Sequence, residues 1–204
     1  MDSDRGTRDQ ILDAAEDLFG SADYASVTIR RICEVSGLPS GSVYHHFGSK
    51  SGVLKAVLAR GTTEIFQALP REGELEGPPL DQLAAYYQRA ADLIVQRLPL
   101  FRLMASLRLH HSGEPEVAAI LRENDQRAHS YVLPFIEAVA RSCGVPDPAG
   151  CAMELGVLNL VFVAGLVTSA DTVGLDVRSG IACHLYRLVL ASILDRSTVL
   201  QGRP

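Results

Sequence analysis

Apolar positions recur at helical spacing along nearly the whole chain, and no stretch alternates as a strand would, so the pattern predicts an all-α protein of about nine helices. Thr7 can cap a first helix, with Gln10 three residues on. Ile11, Ala15, Leu18 and Phe19 then share one face opposite Asp13, Glu16 and Asp17, and Gly20 closes the helix. Thr28 can cap a second, with Val27 and Ile32 placed as a hydrophobic staple across its start. That helix has to be short, because Gly37 stands where a left-handed terminal cap is expected and Pro39 follows. A third is expected from Ser40 to Phe47, with Val43 and Phe47 inward and Ser42, His45 and His46 largely outward. Gly48 ends it, and Ser49 can cap a fourth that carries Val53, Leu54, Val57 and Leu58 and continues towards Ala68.

Residues 69–79, rich in Pro, Gly and Glu, read as a loop, and beyond it the helical segments become longer and more apolar: about 81–98, 99–111, 114–143, 147–170 and 177–196. Pro99, Pro115 and Pro146 suit first helical turns, where a missing amide hydrogen costs little, whereas Pro134 inside a helix should kink it. The change of scale divides the chain into a small domain, 1–60, and a larger helical one, 61–204.

A chain of 204 residues can bury a proper core, and its net charge of −5 argues against bulk coating of nucleic acid. A local basic surface survives that objection: across residues 25–60, Arg30, Arg31, Lys50, Lys55 and Arg60 oppose only Glu34. Cys33, Cys143, Cys151 and Cys183 lack the spacing of a disulfide framework or zinc module, and are expected reduced and mostly buried. The opening residues are polar and acidic rather than export-like, and the most apolar stretch, 155–167, falls short of the roughly 20 residues a bilayer crossing needs. A cytoplasmic protein that does not enter a membrane is the expectation.

Two short helices joined by a Gly-containing turn, the second presenting small polar and aromatic side chains, are what a helix-turn-helix reader of the major groove requires. Ser40, Gly41 and Ser42 would let the backbone approach base edges and phosphates in a groove about 12 Å wide. At Tyr24, Thr28, Ile32, Gly37, Leu38, Gly41, Val43, Tyr44, His46, Phe47 and Lys50 the sequence resembles the tetracycline-repressor (TetR) family of bacterial regulators, with the family spacing unbroken over about residues 7–60. The resemblance implies that Thr28 and Arg30 approach DNA, that Ser40, Ser42, Tyr44, His45 and His46 form the reading and phosphate-clamping surface, and that Lys50 grips a phosphate. It departs from the family at Pro39, where a serine-like cap is usual, and at Gly52, where an acidic residue usually closes the fourth helix's cap. Both starts are therefore expected to be displaced or less stable.

The resemblance further implies a homodimer on a palindromic operator, released when a small molecule occupies the second domain. The segment 147–170 is apolar almost all round, and the last helix repeats this. Ala149, Ala152, Gly156, Leu160, Tyr186, Val189 and Ile193 are therefore the expected contacts with a second copy. Tyr86, Tyr87, Phe101, Met104, Leu107, Tyr131, Phe135, Asn159 and Phe162 are the expected lining of a mostly apolar effector cavity. No cofactor is expected. His110 and His111 beside Glu114 and Glu116 tempt a metal reading, but they read better as solvated or loop-contacting, and Cys183 with His184 makes no compelling nucleophile. With no phosphate loop or nucleophile elbow, an enzyme has little support. The alternative is a small-molecule-binding helical protein whose helix-turn-helix is only structural.

Overall fold

The computed structural model describes residues 2–174 and 176–197. They form nine helices: α1 (Asp2–Ser21), α2 (Ile29–Ser36), α3 (Ser40–Phe47), α4 (Lys50–Ala68), α5 (Pro79–Gln96), α6 (Leu98–His110), α7 (Pro115–Ser142), α8 (Pro148–Val173) and α9 (Val177–Asp195). Gly180–Leu185 within α9 is wound as a π-helix. A single 3-10 turn, Tyr24–Ser26, interrupts the loop before α2; Asp23 caps it by accepting a hydrogen bond from the Ala25 amide.

Local chemistry explains the short helices. The Thr28 side chain accepts from the Arg31 amide at 3.1 Å, and Gly37 closes α2 in the left-handed region at φ 71°. Gly48 turns the chain at φ 73°, and Ser49 accepts from the Gly52 amide at 3.0 Å to open α4. Neither departure from the family pattern displaces a helix start. Pro39 precedes α3 without a side-chain cap, and α3 still begins at Ser40.

At two helix starts a residue takes a role other than the expected one. α1 begins at Asp2, so Thr7 lies inside it rather than capping it. α8 begins at Pro148, not at Pro146, because Asp147 accepts from the Gly150 amide at 2.9 Å and makes the proline after it the first helical residue. α7 continues through Pro134.

Ile11, Leu12, Phe19, Val27, Ile32, Val43, Val53 and Leu54 make the core of the first three helices and the start of α4, and this core is continuous with that of α5–α9. α4 joins the two. Its first turns pack among α1–α3, while Thr62, Ile65 and Phe66 are buried further along.

Candidate nucleic-acid interface and interior cavity

α2, the Gly37 turn and α3 place Val43 in the core and turn the opposite face of α3 outward. Ser40, Gly41, Tyr44 and His45 are exposed, Tyr44 at 54% despite its ring, and Ser42 and His46 are half-buried. The His45 and His46 rings meet edge-on at 5.2 Å, and among the described residues no group of three or more His, Cys, Asp or Glu could hold a metal ion. Thr28 and Arg30 are likewise exposed, at the start of α2.

The electrostatics of this side are more modest than the charge count suggests. Arg60 turns away to Asp13, at 2.7 Å, and to Glu16, and Lys55 pairs with Glu123 at 2.7 Å. Arg30 and Arg31 both reach Glu34 at 3.1 Å and hold its carboxyl below the usual range, Arg31 contributing most. Such exposed pairs are weak and exchange readily for phosphate. Lys50 is half-buried: its Nζ donates to the Tyr24 carbonyl at 2.9 Å and sits 4.0 Å from the Tyr24 ring centre. An ammonium has three donors, so this anchorage leaves the charge available beside the α3–α4 turn.

His111, expected to be solvated or to touch a loop, does the latter: it is buried against loop residues of both parts of the molecule. Its Nδ1 lies 2.8 Å from Glu114 Oε1 and its Nε2 3.4 Å from Asp23 Oδ1, with the Tyr24 ring edge-on at 5.3 Å. The Glu114 bond, and behind it Asp23, raises the imidazole's pKa above its ordinary value; the bond from His111 lowers that of Asp23. Burial raises the Tyr24 hydroxyl. Ser51 and Glu116 make a second hydrogen-bonded link between the α4 start and the α7 start.

An interior cavity of about 140 Å³ lies among α4, α5, α6, α7, α8 and α9. Tyr86, Tyr87, Phe101, Met104 and Asn159 line it, whereas the other four expected residues do not. Leu107 is fully enclosed, and Phe135 packs on Tyr86 at 5.0 Å. Tyr131 stacks on Phe66 and accepts from Arg71 at 2.8 Å, and Phe162 packs against the core. Tyr87 donates to Asn159 Oδ1 at 2.7 Å, and burial raises the pKa of both Tyr86 and Tyr87. The polar residues sequence reasoning missed are Thr62, Arg108, Asn124, Asp125 and His129. Arg108 forks onto Asp125 at 2.7 and 2.8 Å, while Arg108 Nε and His129 Nε2 are buried without a hydrogen-bond partner.

The residues expected at a second copy mostly face the protomer's own interior. Ala152, Val189 and Ile193 are buried, Gly156 and Leu160 line the cavity, and half-buried Tyr186 packs on Tyr87 at 6.2 Å; Ala149 is exposed. The small residues of α8 permit close approach to α7: a Cβ at Gly156 would stand 2.5 Å from Leu133 Cδ2. The exposed apolar side is Met153, Val157, Leu158 and Val161 of α8 with Leu188 and Leu194 of α9. Both helices are long and apolar enough to cross a membrane by length and composition, Pro148–Ser169 having a mean hydropathy of 1.9. Of the cysteines only Cys151 is buried, and Cys183 is exposed, its α9 position pointing away from the core.

A helix-turn-helix head with its second helix outward, mounted on a helical domain with an interior cavity, is the plan of a helix-turn-helix transcription regulator. Residues 11–57 match the family model described as bacterial regulatory proteins, tetR family. The HTH-type transcriptional regulator BetI of Stenotrophomonas maltophilia is 30% identical over 124 residues, 60% of this chain and 63% of that protein. The match thus spans somewhat under two thirds of that curated relative. Over residues 11–57 the chain therefore carries the amino-terminal domain of tetR-family regulatory proteins. Among solved structures, NalD of Pseudomonas aeruginosa, the secondary repressor of the MexAB-OprM multidrug efflux pump, has a TM-score of 0.68 at 19% identity, covering 94% of this chain and 98% of its own. A transcriptional regulator from Rhodococcus sp. Rha1 has a TM-score of 0.69 at 21% identity, covering 93% and 97%. These two likenesses establish the fold alone.

Proposed function

We propose that the protein is a cytoplasmic, ligand-responsive transcriptional repressor that binds a palindromic operator as a homodimer and lets go when a small, mostly apolar effector fills the cavity. The observation that carries this reading is the course of α4. It starts at Ser49 and Lys50 beside the outward face of α3 and ends in the cavity wall at Thr62, Ile65 and Phe66. An occupant that displaces that wall moves the far end of a stiff rod, and with it the head. The effector shifts the equilibrium only by its preference for the released shape; a thousandfold preference corresponds to about 4 kcal/mol.

Thr28, Arg30, Ser40, Gly41, Ser42, Tyr44, His45, His46 and Lys50 form the proposed DNA surface. One such head contacts too few base pairs to choose a genomic site, whereas two matched half-sites combine their affinities. The second copy would lie on the exposed apolar side of α8 and α9, since six large apolar side chains there otherwise face water. The relatives' names assign regulation rather than catalysis.

Fluorescence anisotropy with duplex from upstream of the chain's own gene tests the reading. Binding should weaken steeply with salt, Lys50→Ala should weaken all duplexes alike, and Ser42→Ala or His45→Ala should alter sequence preference. Unchanged affinity and preference in all three variants would remove the assignment and favour a helix-turn-helix kept only as packing.

A further inference from the structure

We infer that the cavity takes an uncharged, single-ring or similarly compact apolar molecule bearing one carbonyl oxygen, held by Arg108 Nε and His129 Nε2. This rests on the proposed role of the cavity as the effector site. The walls, including Phe66, Phe101, Met104 and Val132, are apolar, and a volume of about 140 Å³ has room for one ring; an engineered apolar cavity of roughly that size takes up benzene.

The polar part is concentrated around Asp125. Asp125 and His129 stand one turn apart on α7, so their side chains leave the same face, and Arg108 reaches across from α6 to grip both Asp125 oxygens. The grip uses Nη1 and Nη2 and leaves Nε, which is a hydrogen-bond donor in every state of the side chain, sealed from solvent without an acceptor. Almost all buried donors in proteins are satisfied, so an orphan on a cavity wall marks where a ligand's acceptor belongs. Among the described residues His129 Nε2 is the other buried side-chain polar atom without a partner, and in the tautomer that carries its proton there it is a donor as well.

The sign of the ligand's charge follows from Asp125. Its carboxylate already neutralises Arg108, so a ligand carboxylate brought to Nε would lie a few ångströms from a like charge in a poorly solvated site. A neutral carbonyl meets the donor without that repulsion. Thiol, amine or hydrocarbon groups supply either no comparable acceptor or a further charge.

Ethylbenzene, acetophenone and benzoate each have one ring and differ in the acceptor, and their binding to the full chain can be measured by calorimetry and ligand-detected NMR. Acetophenone should bind roughly tenfold more tightly than ethylbenzene, and benzoate no more tightly than ethylbenzene. Arg108→Lys keeps a positive charge opposite Asp125 but removes Nε, and should abolish acetophenone's advantage. In the unaltered protein, the carbonyl-carbon resonance of bound acetophenone should move downfield as it does in hydrogen-bonding solvents, a readout that needs no variant to fold. Equal binding of acetophenone and ethylbenzene, tightest binding of benzoate, no binding of any of them, an advantage that survives Arg108→Lys, or a carbonyl resonance like that in hydrocarbon would each overturn the inference. Operator release is read separately: acetophenone that binds with the expected preference and leaves DNA bound contradicts the repressor reading while the anchor stands.

Discussion

In the reading head, helices of eight residues are set by side chains acting on their nearest neighbours: a threonine on an amide three residues on, a glycine that turns left-handed, a serine that opens the next helix. In the cavity-bearing domain, helices of up to 28 residues are placed by contacts between elements far apart in sequence, such as Phe135 against Tyr86 and Gly156 against Leu133. The head's shape is therefore vulnerable at its turns and the larger domain's at its packing. α4 belongs to both, so under the proposed mechanism a change in one would be felt in the other.

The largest expected effect lies in the packed domain. Phe135→Ala removes a ring that is 1% exposed and should destabilise the protein by about 3–5 kcal/mol in chemical denaturation. A loss under about 1 kcal/mol would show that this domain tolerates voids and would weaken the contrast. Next comes the outer apolar side: Leu158→Glu, at a residue 55% exposed in the protomer, should leave protomer stability nearly unchanged. It should weaken self-association at least about a hundredfold, close to 3 kcal/mol, by placing carboxylates in the interface. Sedimentation at micromolar concentration reads this directly; an unaltered dimer would move the contact surface elsewhere. In the head, Gly37→Ala has open space around the new methyl, so only its φ of 71° opposes it, and the loss should be about 1–2 kcal/mol. A neutral result would mean the turn relaxes freely.

The smallest effect is a pH dependence where the two parts meet. His111 has a raised folded-state pKa, so its contribution is full below its ordinary value of 6.5 and is lost as pH rises through the raised value. Asp23 has a depressed one, so its contribution is present above its ordinary 3.8 and is lost as pH falls through the depressed value. The contact is thus strongest between those ordinary values. The melting-temperature difference between the unaltered protein and His111→Gln should shrink on going from about pH 6 to about pH 9. A difference constant with pH would contradict a charged His111 at this junction.

The same contrast explains what could be read from residues alone. Thr28, Gly37, Ser49 and the extent of α3 were legible because the groups that decide them lie within four positions of one another. The side that α8 turns inward was not, because a helix apolar all round gives no directional signal, and small residues such as Ala152 and Gly156 serve an intramolecular contact with α7 as well as they would serve a second copy. Aromatic residues at helical spacing were equally ambiguous, which is why Tyr86 and Tyr87 reach the cavity while Tyr131 and Phe135 do not. The Arg108–Asp125 fork joins two helices across the loop between them, a contact that no local spacing announces. The positive charge of the head was overcounted because Arg60 and Lys55 find carboxylates on α1 and α7.

The central claim is that the outward face of α3, presented twice by a dimer, reads DNA. Selection of bound sequences from a pool of randomised duplexes tests it most directly, carried out with the unaltered protein and with His45→Ala. The expected result is a motif with twofold symmetry whose half-sites are centred about 34 Å apart, altered by His45→Ala at the same position in both halves. No enriched sequence, or an asymmetric one that His45→Ala leaves intact, would contradict it.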